Sequence, residues 1–71
     1  MTTYKEVCSQ QDRNFQARAR STLGRTHYLK LVPLANQAFQ KGLKEPNINK
    51  RINKAIRMAN LVFSEAMAAR I

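Results

Sequence analysis

The chain has 71 residues, with 13 Lys or Arg against 4 Asp or Glu, one His and a formal charge of +9. That length accommodates one small domain, residues 1–71, and excludes a dinucleotide-binding sheet or a (β/α)₈ barrel. Two Gly and two Pro exclude collagen-like or flexible-linker composition, and no apolar run approaches the roughly 18 residues of a membrane span.

The segment from Met1 to Glu6 lacks the apolar stretch of a signal peptide. Cys8 is the one cysteine, so no internal disulfide forms, and a reducing compartment, the cytoplasm, is the expected location. The apolar set is rich in Ala, which leaves a thin core whose burial self-association or a partner would supplement.

Thr3-Tyr4-Lys5-Glu6 fits a capping box, in which the Thr3 hydroxyl and the Glu6 carboxylate satisfy each other's amides. Tyr4, Val7, Cys8, Phe15 and Ala19 follow at helical spacings, and Gly24 suits the residue beyond a helix end. A first helix is expected over about residues 3–22, with a weak middle, because Phe15 is the only apolar residue from Ser9 to Gln16.

Thr26 is placed to cap a second helix over about 27–44, whose stripe runs Tyr28, Leu31, Val32, Ala35, Ala38 and Phe39. Pro33 removes one hydrogen bond and crowds the carbonyl of Leu29. Since the stripe passes through it unbroken, a kink is expected rather than a break. Glu45-Pro46-Asn47 ends this helix, because the residue before proline avoids the α region. Asn47 or Asn49 then caps a third helix over about 48–69 with the stripe Ile48, Ile52, Ala55, Ile56, Ala59, Val62, Phe63, Ala66 and Met67.

The expected fold class is all-α: a small three-helix bundle, or a helical hairpin with an N-terminal helical arm, with the middle helix kinked at Pro33. Within residues 28–46, Ala35, Phe39, Gly42 and Pro46 resemble the second helix of a tetratricopeptide repeat, although the proline comes one place early. The resemblance implies helix–turn–helix packing, and one such unit cannot build a solenoid.

Catalysis finds no support in these residues. His27 and Cys8 are the only nucleophile or base of their kinds, and no partnered triad can be drawn from them, so a non-enzymatic protein is expected. They are too few for a closed zinc site, and the isolated glycines form no phosphate loop, so neither metal nor cofactor is expected.

The basic residues carry the functional signal. Lys50, Lys54 and Arg57, at i, i+4 and i+7, share a helix face opposite the Ile52/Ile56/Phe63 stripe, with Arg51 close by and Asn49, Asn53 and Asn60 flanking. Between Glu45 and Glu65 there is no carboxylate. Arg and Lys suit phosphates or guanine edges and Asn suits adenine, so the face has the composition of a nucleic-acid surface. Arg18, Arg20 and Arg25, with Arg13, make a second cluster. The turn before the third helix is unlike that of a helix-turn-helix, which favours phosphate-dominated contact over base readout. Met58 and Leu61 border the third helix's stripe as an apolar seam for a partner helix or a second copy of the chain.

The expected function is that of a small basic regulatory protein binding nucleic acid through a cationic helix face. The alternative is an adaptor or inhibitor docking on an acidic surface of a larger transcription or nucleic-acid-processing protein. A peripheral membrane role is weaker, because the third helix lacks Trp and its apolar face is mostly Ala.

Overall fold

The expected first helix is interrupted at Cys8 and Ser9, and the cause is a capping box that competes with the helix. In the computed structural model, which describes residues 2–70, Ser9 Oγ accepts from the Asp12 amide at 3.2 Å while Asp12 Oδ2 accepts from the Ser9 amide at 2.9 Å. Two of the four orphan amides at the new helix start are thereby satisfied locally. The described chain therefore runs α1 (Tyr4–Val7), α2 (Gln10–Leu23), α3 (Arg25–Gly42) and α4 (Ile48–Ala68). The box expected at Thr3 does not close: Thr3 is extended, its side chain makes no capping bond, and the Glu6 amide bonds the Thr3 carbonyl instead.

Gly24 is a one-residue joint between α2 and α3. Its amide donates to the Arg20 carbonyl at 3.0 Å, and its carbonyl accepts from the Tyr28 amide at 2.9 Å. Its φ of 83° is accessible to glycine with no steric cost. Because this joint starts α3 at Arg25, Thr26 lies inside the helix and is not its cap.

Helix α3 continues through Pro33. Pro33 and Leu29 are both exposed, so solvent is available to the carbonyl that loses its donor. At the far end α3 stops at Gly42, two residues short of the expected end, and Asn47 caps α4 by accepting from the Asn49 amide at 2.9 Å.

The most extensive helix–helix contact is between α3 and α4, joined by residues 43–47. Ala35 and Phe39 from α3 meet Ala55, Ala59 and Phe63 from α4, and Ala19 and Leu23 of α2 complete the buried cluster. Gly42 sits where the two backbones come closest: a Cβ there would overlap the Ala55 backbone. Tyr28 stacks on Phe63 with ring centres 5.0 Å apart, and Tyr4 meets Phe39 edge-on at 6.1 Å. Helix α1 has no fully buried residue, but Tyr4 and Val7 pack against the cluster.

The extents are 35 × 21 × 21 Å, and the long axis is about that of α4, 21 residues at about 1.5 Å each. Among the described residues no helix is long and apolar enough to cross a membrane.

Candidate functional site

On α4 the core stripe of Ala55, Ala59 and Phe63 turns the opposite face to solvent, and Lys50, Asn53, Lys54 and Arg57 are all exposed there. With Glu45 and Met58 they line a shallow groove of ≈ 630 Å³. The fold changes the charge of this face in one respect. The connection before α4 brings Glu45 back onto Lys54, Nζ to Oε2 at 2.7 Å, although the two are nine residues apart. The Lys54 hydrogen bond holds the Glu45 carboxyl below its ordinary value.

Arg51 does not join the face. It is half-buried, and its Nε donates to the Glu45 carbonyl at 3.0 Å, which ties the connection to the first turn of α4. Asn60, expected to flank the face, turns inward. Met58 is half-buried at the groove, and Leu61 stands 52 % exposed one turn further along α4.

The arginines of α2 and the start of α3 are exposed but dispersed. Arg18 and Arg20 project about 160° apart around α2 at roughly 100° per residue. Arg20 and Arg13, seven residues apart, line a cleft between α1, α2 and α3, which neither Arg18 nor Arg25 lines. That cleft has a volume of ≈ 360 Å³ and takes Tyr4, Lys5 and Cys8 from the α1 segment, and Tyr28 from α3.

Beneath the cleft lies a polar network that the hydrophobic pattern did not reveal. An ionised carboxylate only accepts. Asp12 therefore fixes Asn60, whose Nδ2 donates to Asp12 Oδ1 at 3.2 Å. The Asn60 carbonyl oxygen then faces the other way, accepting from Tyr4 Oη at 2.7 Å and Gln16 Nε2 at 3.1 Å. With its nitrogen so committed, Gln16 offers Oε1 to Tyr28 Oη at 2.7 Å. One carboxylate thus orients a chain of donors that crosses from α3 through α2 to α4, with α1 joined by Tyr4. Among the described residues no buried side-chain polar atom is left without a partner. Burial pushes the Tyr4 phenol above its ordinary value, against a smaller opposing pull from the Gln16 hydrogen bond.

Two sequence signals pointed to this network: Ser9-X-X-Asp12 is a capping pattern with Asp in place of Glu or Gln, and polar Gln16 follows Phe15 toward the core side of α2. Among the described residues no three His, Cys, Asp or Glu side chains are placed to hold a metal ion. No family model, no curated protein and no solved structure matches this chain.

Proposed function

We propose that the protein binds nucleic acid, chiefly through its phosphates, with the exposed face of α4. The observation that supports this is the scarcity of internal partners for its cations. Among the described residues Lys54 alone forms an ion pair, and every other Lys and Arg except Arg51 makes no side-chain hydrogen bond. Of the carboxylates, Glu45 is taken by Lys54, and Asp12 by the Ser9 cap and Asn60.

The position of Lys50 adds to the argument. It lies in the first turn of α4, which has no acidic residue. A cation at a helix N-terminus is disfavoured by about 0.3–1 kcal/mol, whereas an anion there is stabilised. The Glu45 carboxylate offsets this only in part, since it is already bonded to Lys54, and a local rule so weakly compensated points to a partner outside the protein. Lys50, Asn53, Lys54 and Arg57 together present a backbone-binding surface with one amide available to a base edge.

Fluorescence anisotropy of labelled duplex DNA, single-stranded DNA and RNA across a salt series tests this. Each neutralised phosphate in duplex DNA contributes a slope of about −0.9 in log K against log salt, so Lys50→Glu/Arg57→Glu is expected to flatten the slope by about 1.8 and weaken binding. An unchanged slope in the double variant would move the contact surface elsewhere. No binding to any of the three at about 100 µM protein in moderate salt would remove nucleic acid as the partner. Leu61, exposed on the same face, favours an acidic protein surface as the second reading; that association would survive nuclease treatment and weaken in Leu61→Ser.

A further inference from the structure

We infer that the cleft between α1, α2 and α3 is a binding site for a small phosphorylated ligand with one planar ring, of the size and charge of a nucleoside monophosphate. It stands apart from the α4 face and does not rest on that reading. Lys5, Arg13 and Arg20 converge on the cleft from two helices. Among the described residues no carboxylate lines it, and none of these cations is ion-paired. Like charges gathered around one concavity repel, and a bound dianion relieves that repulsion in a space where low-dielectric walls focus the field. Arginine's planar fork suits phosphate oxygens in particular.

The apolar part of the wall combines two aromatic rings with Ala17 and Cys8. Tyr4 and Tyr28 both line the cleft, and their hydroxyls are held by Gln16 in the network beneath it. Tyr28 is further fixed by its stack on Phe63. Two tyrosines anchored at their hydroxyls and packed at their rings form a preorganised wall, which lowers the ordering cost of binding a flat ring. The volume, ≈ 360 Å³, lies near the lower end of the roughly 300–1,000 Å³ typical of small-molecule sites. It admits one ring and one phosphate rather than a dinucleotide.

Cys8, the single cysteine of the chain, lines the same cleft and reports its occupancy. The protein would be titrated with AMP, adenosine and inorganic phosphate, following backbone amide shifts by NMR and the rate of Cys8 alkylation by the uncharged reagent N-ethylmaleimide. AMP is expected to bind saturably, to shift amides of α1, α2 and the start of α3, and to slow alkylation. Adenosine and phosphate are each expected to bind at least about tenfold more weakly, since either lacks one half of the recognition. Arg13→Ala/Arg20→Ala should weaken AMP by about tenfold or more while its far-UV circular dichroism is unchanged, because neither side chain holds another element. Lys50→Glu/Arg57→Glu should leave AMP binding intact, which separates this site from the α4 face. Phosphate binding as tightly as AMP, adenosine binding as tightly as AMP, AMP shifts confined to α4, or no saturation by millimolar AMP would each overturn the assignment, the wild-type selectivity deciding it even if the arginine variant did not fold.

Discussion

The α3–α4 hairpin and the α1–α2 arm are held by different physics. In the hairpin, Phe39, Phe63 and a run of small residues remove apolar surface from water, and Gly42 lets the backbone of α3 close on Ala55. Burial of this kind is non-directional and tolerates small displacements. The arm fully buries only Ala19 and Leu23. Much of its attachment is the hydrogen-bonded path from Ser9 through Asp12 and Asn60 to Tyr4, Gln16 and Tyr28. Such a path is strongly oriented, and removing one member deprives several part-buried groups of their partners at once. A chain too short to extend its apolar core can still fix an arm in one orientation by this means. The arm should open before the hairpin does.

The largest break in that contrast is at Gly42. In an unconstrained helix interior, Gly→Ala stabilises by about 1 kcal/mol. Here the added methyl would meet the Ala55 backbone, whose nitrogen lies 2.7 Å from where a Cβ would stand. Gly42→Ala is therefore expected to destabilise by about 3 kcal/mol, the upper end of ordinary overpacking. For a domain of this size each kcal/mol lowers the melting temperature by roughly 4–8 °C. Calorimetry reads the sign directly: a rise in melting temperature would mean that the helices part without cost, and the close approach would then contribute nothing to the hairpin.

A change in the arm should behave differently. Asn60→Leu keeps the volume and removes the group to which Tyr4, Gln16 and Asp12 all bond. The expected loss is about 2 kcal/mol, from polar groups left unpaired rather than from a cavity. Its signature is spatial. Amide exchange should accelerate through Gln10–Leu23 while the buried centres of α3 and α4 keep their protection. Equal loss of protection in both regions would show a single cooperative unit, and the distinction between arm and hairpin would fail.

The hairpin was legible in the sequence because its stripe repeats at helical period on both sides of a proline-marked turn, and the fold class follows from that alone. The arm's helical character was legible too, but its break at Cys8 and Ser9 was not, for a specific reason. Ser9 to Gln16 carries one apolar residue, so periodicity was silent where a local cap decided the outcome. The Thr3 box matched the same pattern and did not form, which shows that the pattern alone does not choose between two competing caps. Of the proposed nucleic-acid face, Lys50, Asn53, Lys54 and Arg57 were placed together by helical geometry. What the sequence could not show was Glu45 folding back onto Lys54, Arg51 turning to a carbonyl and Asn60 turning inward. Each depends on where the 43–47 connection or the arm lies, and i, i+4 spacing carries no such information.

The smallest effect sharpens the contrast through pH. Tyr4→Phe keeps the edge-on contact with Phe39 and deletes only the hydroxyl bonded to Asn60. At neutral pH the cost should be about 1 kcal/mol, since the donation to Asn60 at 2.7 Å is the strong bond and the one accepted from Gln16 is long at 3.4 Å. The Tyr4 phenol is raised above 10.0 in the folded protein, first by burial. A group whose folded value is raised contributes stability that is fully present below its unfolded value and lost as pH climbs through the folded one. Ionised Tyr4 would also lose the proton it donates to Asn60 and face the Asp12 carboxylate across the network. Urea midpoints at pH 7 and at two points above 10 should therefore show wild type and Tyr4→Phe converging as pH rises, with other titrating groups cancelling between the pair. A gap that stays constant would mean that the Tyr4 hydroxyl is hydrated in the folded state. The arm would then rest on its apolar contacts, like the hairpin.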